Sequence, residues 1–327
     1  MLLQESIGFS QARATSALSA AQKRLDELNG LIELDDELGP DHESLNGHSN
    51  GHANGHTTNG SNGHASNGSD TYDHSQWDDE VEERIRIGIS PHAPYTASPQ
   101  LIRELVSVAA DRDMPVAMHL AESPEELQLL SEGKGAFQEI LEERGMWDPW
   151  VIGRGSSPLD YLRMLTRAPK SLVVHGNYLD SAALAMMARH AGAMALVYCP
   201  RTHAHFKHSP YPLGEALALG VPVCLGTDSR ASNPDLSVLA EMREVAQRHS
   251  YLTPDAILRM GTLAGAEALG LADVGAIRPG AHADLVTVPL PNKGRGRPDE
   301  LLARLLVGEE QVDTVWLGGE ALEPVLV

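Results

Sequence analysis

Basic residues are scarce in this chain. Its 327 residues carry 25 Lys and Arg against 45 Asp and Glu, a formal charge of −20, and residues 25–83 contain no Lys or Arg but 15 acids. Binding to nucleic acid through counterion release needs clustered cations against phosphate, and an anionic membrane surface attracts the same clusters. The composition therefore predicts no nucleic-acid partner and no membrane partner. Long apolar runs are missing as well: none approaches the roughly 18 residues of a bilayer span. The opening MLLQESIGFS lacks a basic stretch followed by an apolar core. Cysteine is limited to Cys199 and Cys224, each inside an apolar strand-like stretch, LVYCP and PVCLG. A small buried hydrophobe is the expected role for both, and a reducing, cytoplasmic compartment is expected for the protein.

The length suits one large domain or two small ones, and one segment punctuates it. Residues 46–69 read NGHSNGHANGHTTNGSNGHASNGS, a degenerate repeat with almost nothing to bury, whose composition predicts disorder. With its acidic flanks the insert runs over residues 31–83. Its histidines (His48, His52, His56 and His64, flanked by His42 and His74) offer loose metal chelation as an alternative role, but a repeat of this kind lacks the second shell that orients ligands.

Residues 1–30 before the insert read as a helix capped at Ser10 and stopped by Gly30, with MLLQESI as a short strand ahead of it. After the insert, strands alternate with helices: RIRIGIS (84–90), MPVAMH (114–119), SLVVH (171–175), AMALVY (193–198) and VPVCLG (221–226). Helices open at Ser98 with Pro99 and at Ser123 with Pro124 and Glu126, the latter in capping-box spacing. Two short helices between 252 and 271 close this part. Short apolar strands alternating with helices predict a parallel sheet covered by helices over 84–271. Residues 272–327 read as a small β element.

In a parallel barrel the chemistry sits at the C-terminal strand ends. Here RIRIGIS runs into His92 and Tyr95, MPVAM ends in His119 with Glu122 three residues on, SLVV ends in His175, AMALVY leads to Arg201, and VPVCLGT to Asp228. Each has a plain alternative: a hydrogen-bonded structural histidine, a solvated first-turn acid at Glu122, a helix cap at Asp228. Together, three histidines, a Glu and an Asp on one rim are the parts for holding a divalent metal and moving protons around a water. Arg201 lies near enough to that rim to meet an anionic substrate group.

Five motifs in order carry a family resemblance: SPHAPYT (90–96), MHLAES (118–123), VVHGNYL (173–179), CPRTHAHF (199–206) and GTDSRASNPDLSVLAEM (226–242), followed by the tail segment GAIRPGAHADLVTV (275–288). The sequence resembles the amidohydrolase superfamily, in its branch of cytosine deaminases, chlorohydrolases and adenosine-type deaminases. The resemblance implies a (β/α)8 TIM-barrel-like fold with a small C-terminal β-sandwich. It implies one divalent metal, zinc first and iron as the alternative, with His119 and Asp228 as ligands. Asp228 then also accepts the proton of the attacking water, Glu122 protonates a ring nitrogen, His175 orients the water or stabilises the oxyanion, and His92 contacts substrate. The implied reaction is deamination of a small heterocycle, aminopurine- or pyrimidine-like. The resemblance also implies a homo-oligomer, as many relatives are dimers.

One part of the family pattern is missing. Members carry an HxH metal pair after the first barrel strand, and nothing before His92 supplies it; the literal HxH, His203 and His205, follows a late strand and reads as a loop feature. Five strands plus a sixth at residues 1–7 also fall short of the eight that close a barrel, so the expectation is an incomplete barrel. Three explanations stay open: a start at an internal methionine of a longer frame, a truncated descendant acting as a non-catalytic ligand-binding or scaffold protein, or histidines supplied by another chain.

Overall fold

The computed structural model describes residues 2–6, 11–38, 86–152, 155–290 and 295–322. In chain order the elements are β1 (Leu2–Ser6), α1 (Gln11–Leu38), β2 (Ile87–Pro91), α2 (Pro99–Asp111), β3 (Val116–Leu120), α3 (Pro124–Glu132), α4 (Ala136–Glu143), α5 (Pro158–Leu165) and β4 (Ser171–His175). There follow α6 (Ser181–Arg189), β5 (Met194–Tyr198), α7 (Pro200–His205), α8 (Leu213–Leu219), β6 (Val223–Leu225), α9 (Val238–Arg248), α10 (Pro254–Met260) and α11 (Leu263–Leu269). The tail holds β7 (Leu285–Thr287), α12 (Pro298–Val307), β8 (Thr314–Leu317) and β9 (Glu320–Ala321).

Strands β1 to β6 form one six-stranded sheet in sequence order, every neighbouring pair parallel. Both faces are covered, which is why the strands read as unbroken apolar runs. Val116, Met118, Leu120, Val173, Leu196, Tyr198 and Val223 join the main core with Leu101, Leu105, Leu162 and Leu184 of the helices. On the opposite face Ala117, Leu172, Ala195, Val197, Cys199 and Cys224 pack with Ala268 of α11. Both cysteines are free and buried, and burial pushes the Cys224 thiol up to about 12. The tail strands β7, β8 and β9 form a separate antiparallel sheet.

The open six-stranded parallel sheet agrees with the incomplete barrel expected from the strand count. Ser98 and Ser123 cap α2 and α3 through their side chains, with Pro at the first helical positions. Two readings change, and a third falls outside the described residues. Helix α1 passes through Gly30 and continues to Leu38: one glycine costs about 1 kcal/mol, and Leu31, Glu33 and Leu34 beyond it favour helix. Residues 39–83, with the expected disorder and the His-rich metal site, lie outside the described residues. His203 and His205 sit on the short helix α7 rather than in a loop, because Pro200 opens a helical turn directly after Cys199. Helix α12, between the tail strands, carries no separate signal in the strand pattern of that region.

Candidate active site

His119, His175 and Asp228 come from the ends of β3, β4 and β6, and one ligand atom from each lies within 4.8 Å of the others. Glu122 completes the group: its Oε1 stands 3.5 Å from His175 Nε2, and Tyr95 donates its hydroxyl to Oε2 at 3.2 Å. Tyr95 stacks on Phe137 at 4.2 Å. Burial and then the Glu122 charge raise its pKa, so the phenol keeps its proton as a donor.

The tautomer of His119 follows from its partner. The His92 carbonyl accepts from both His119 N, at 2.9 Å, and His119 Nδ1, at 3.0 Å. A carbonyl can only accept, so Nδ1 carries the hydrogen and Nε2 keeps the lone pair, the arrangement that prepares an imidazole for a metal. The His92 ring donates from Nδ1 to Thr96 Oγ1 at 2.6 Å, since that hydroxyl points its own proton at the Ala93 carbonyl. Burial, reinforced by His119, holds His175 below its ordinary pKa and therefore neutral at pH 7.

The backbone beneath these groups is strained. Among the described residues five non-glycines have positive φ, and three of them are Ala121 (54°), His175 (70°) and Asp228 (57°). Such conformations persist only where the surroundings over-determine them. At the β3 end, the carbonyls of Leu120, Ala121 and Glu122 accept from Gly176 N, Tyr178 N and Asn177 Nδ2. From the other side the Glu126 carboxylate accepts from Ala121 N at 2.8 Å and Glu122 N at 2.9 Å. Glu126 thus departs from the capping box its spacing predicts: Ser123 Oγ does accept from Glu126 N, but the carboxylate reaches past the cap residue to the two amides before it. At the β4 end Tyr211 donates to the His175 carbonyl at 2.8 Å. Gly176 is required there: φ is +64°, and a Cβ would sit 2.4 Å from Leu196 Cδ1.

Asp228 does not cap the following helix; Ser237 caps α9. Instead Asp228 Oδ2 accepts from Ser232 Oγ at 2.9 Å, and Ser232 Oγ pairs with Thr202 Oγ1 at 3.0 Å. Asn233 Nδ2 bridges the Thr227 carbonyl, at 2.7 Å, and the buried Glu241 Oε1, at 2.6 Å. Arg201 belongs to this network. Its guanidinium holds Asp235 through two bonds, 2.6 and 3.1 Å, and lies 3.7 Å from Glu241, whose other oxygen accepts from Arg201 N. Asp235 raises the Arg201 pKa, and Arg201 in return lowers that of Asp235. Of the sequence candidates, His119, Glu122, His175 and Asp228 come together and His92 sits directly behind His119, while Arg201 is engaged with carboxylates. Tyr95 is named at its strand end without a role and Glu126 only as a cap, while Asn177, Tyr211, Ser232, Asn233 and Glu241 were not singled out from sequence; all seven but Glu126 and Tyr211 lie inside the five motifs.

Two imidazoles and a carboxylate converging within 4.8 Å, one imidazole with its lone pair fixed inward, fit a divalent metal. These features define a parallel α/β protein of the barrel class with a metal-binding, acid-base rim at its C-terminal strand ends. The chain belongs to the amidohydrolase family, whose profile matches residues 62–322. It is 30% identical over 257 residues to a 5-methylthioadenosine/S-adenosylhomocysteine deaminase of Pelotomaculum thermopropionicum, covering 76% of this chain and 54% of that protein. Its fold is similar to that of Helicobacter pylori aminofutalosine deaminase, with a TM-score of 0.71 at 21% identity over 98% of this chain and 67% of the other. A zinc-bound adenosine deaminase from Xanthomonas campestris matches with a TM-score of 0.57 at 27% identity, over 76% and 54% of the two chains. The chain spans about half the length of the curated relatives it matches. No helix among the described residues is long and apolar enough to cross a membrane.

Proposed function

We propose that this chain carries the acid-base machinery of a hydrolytic deaminase acting on an aminopurine- or pyrimidine-like heterocycle. The observation that carries the reading is the approach of Glu122 Oε1 to His175 Nε2, 3.5 Å, beside the cluster of His119, His175 and Asp228. In the reaction a water oxygen bonds to the ring carbon bearing the amine, the C–N bond breaks, and the amine leaves as ammonia with the proton that Asp228 has taken from the water, while the hydroxyl of the adduct returns a proton to Glu122 as it becomes the carbonyl. His119 and Asp228 would hold the metal, with His175 near enough to add a third donor; zinc is the first expectation and iron the alternative. When bound, the metal supplies a Lewis acid that makes water nucleophilic at neutral pH.

Asp228 takes the proton of the attacking water on Oδ1, because Ser232 occupies Oδ2. Glu122 gives a proton to the ring nitrogen beside the attacked carbon. Tyr95 on Oε2 leaves Oε1 as the oxygen that carries this proton. His175, neutral, faces the developing oxyanion, and the His92 ring, 5.0 Å from that of His119, contacts substrate while its carbonyl holds His119 from behind. Arg201 acts as a positioning residue for the Asp228 turn and not as an anion contact. In this reading residues 84–271 form the catalytic body and 272–327 the appended β element, in a cytoplasmic homo-oligomer.

The test is ammonia release from adenosine, 5'-methylthioadenosine and S-adenosylhomocysteine by zinc-supplemented protein, with metal content measured in parallel. Turnover that disappears in Glu122→Gln while metal is retained supports the reading. Folded protein that neither binds metal nor releases ammonia overturns it in favour of a non-catalytic ligand-binding protein.

A further inference from the structure

Two buried hydroxyls stand in line behind Asp228: Ser232, in the turn that follows the aspartate, and Thr202, on α7. Ser232 Oγ is 2.9 Å from Asp228 Oδ2 and 3.0 Å from Thr202 Oγ1. In the ionised form that holds a cation, a carboxylate oxygen only accepts. The single hydrogen of Ser232 therefore goes to Oδ2, and within the hydroxyl pair Thr202 is the donor. Both hydroxyls have a second acceptor, but each is farther away: the Ser229 carbonyl at 3.5 Å from Ser232 and the Thr227 carbonyl at 3.4 Å from Thr202. Donation runs one way, from Thr202 to Ser232 to Asp228, and each bond polarises the next.

Asp228 needs such a hold. Its φ of +57° is a conformation that a non-glycine residue keeps only where its surroundings impose it, and the last bond of an aspartate side chain has a broad, weak torsional preference. The start of the line is itself anchored, because Arg201 N, one residue before Thr202, donates to the buried Glu241 at 2.9 Å. His119, in the same cluster, is fixed differently, by the His92 carbonyl on its Nδ1. The imidazole is thus held by backbone, whereas the carboxylate is held by hydroxyls that a point substitution removes. A ligand group oriented in advance loses less freedom when a cation binds.

We propose that Ser232, backed by Thr202, is a positioning residue that holds the Asp228 carboxylate ready for a divalent cation, so that zinc affinity depends on two hydroxyls outside the ligand set. The proposal rests on the metal site of the deaminase reading. It is tested by equilibrium dialysis of the full chain against zinc, with denaturant unfolding of the metal-free protein as the check on folding. Ser232→Ala should lower zinc affinity about tenfold. Thr202→Val keeps the shape and removes the first donor, and should lower it about threefold; it carries the test by itself if Ser232→Ala does not fold. In an Asp228→Ala background, Ser232→Ala should change affinity less than about twofold, because no carboxylate remains to be held, whereas a packing defect acts in both backgrounds. Wild-type affinity in the hydroxyl variants, or an equal loss with and without Asp228, would overturn the role of Ser232 while leaving the metal site intact. Folded wild type that binds no zinc would overturn the proposal together with the metal site.

Discussion

The imidazole of His175 and the carboxylate of Glu122 stand 3.5 Å apart although they belong to different strand ends. Leu120 pairs with His175 in the parallel register, two residues ahead of Glu122. Acid and imidazole are therefore neighbours because β3 and β4 are.

Replacing Glu122 by Gln removes the transferable proton and keeps the shape. With general acid catalysis contributing ~10²–10⁴-fold, kcat for ammonia release should drop at least a hundredfold while zinc content stays level. Retained turnover in this variant would assign the acid elsewhere.

Metal binding should depend on His119 most. His119→Ala, assayed by equilibrium dialysis against zinc, should lower affinity at least tenfold, as should Asp228→Ala. His175→Ala should weaken binding by less, since its Nε2 also faces Glu122. Unchanged affinity in all three would remove the cluster as a metal site.

Glu126 sets a pH dependence of stability. It is buried, and burial outweighs its two backbone bonds to hold its pKa near 8, against about 4.3 in an unfolded chain. Between these values the folded protein binds the extra proton, so this stabilising contribution is full below about pH 4 and is lost as pH rises through 8. Across pH 5 to 8 the wild type should lose on the order of a few kcal/mol relative to Glu126→Gln, read by denaturant unfolding. Parallel pH profiles would count against the raised value.

Arg201 should matter to stability. Arg201→Met leaves the buried Glu241 with a weakened set of partners; breaking a buried pair costs ~3–5 kcal/mol, and because the Arg201 side chain keeps some solvent contact about 2 kcal/mol is expected. Asp235→Asn, at a half-exposed partner, should cost under ~1 kcal/mol. Zinc affinity should fall with Arg201→Met, since the Asp228 turn loosens. A variant of normal stability with impaired binding of anionic ligands alone would return Arg201 to the substrate.

Strands β2 to β6 were legible because each is a largely apolar run buried along most of its length, and α2 and α3 because Ser–Pro caps are local signals. The rim residues His119, Glu122, His175 and Asp228 were legible because they end those strands. What stayed hidden depends on contacts between distant segments. Nothing local marks Asn177 as the partner of the Glu122 carbonyl, Tyr211 as the support of His175, or Glu241 as the buried end of the Asp228 network. Glu126 shows both sides: its spacing announced a cap, but which amides it grips is decided by the left-handed turn at Ala121. The end of α1 was misjudged because a single glycine is a weak stop.

The interlock of residues 120–122 with 176–178 also limits where this protein can be rebuilt. Because three successive carbonyls on one loop are matched to donors on the next, inserting or deleting one residue in either segment shifts every pair at once. Changes of loop length that leave the rim in place are therefore confined to stretches outside these two segments.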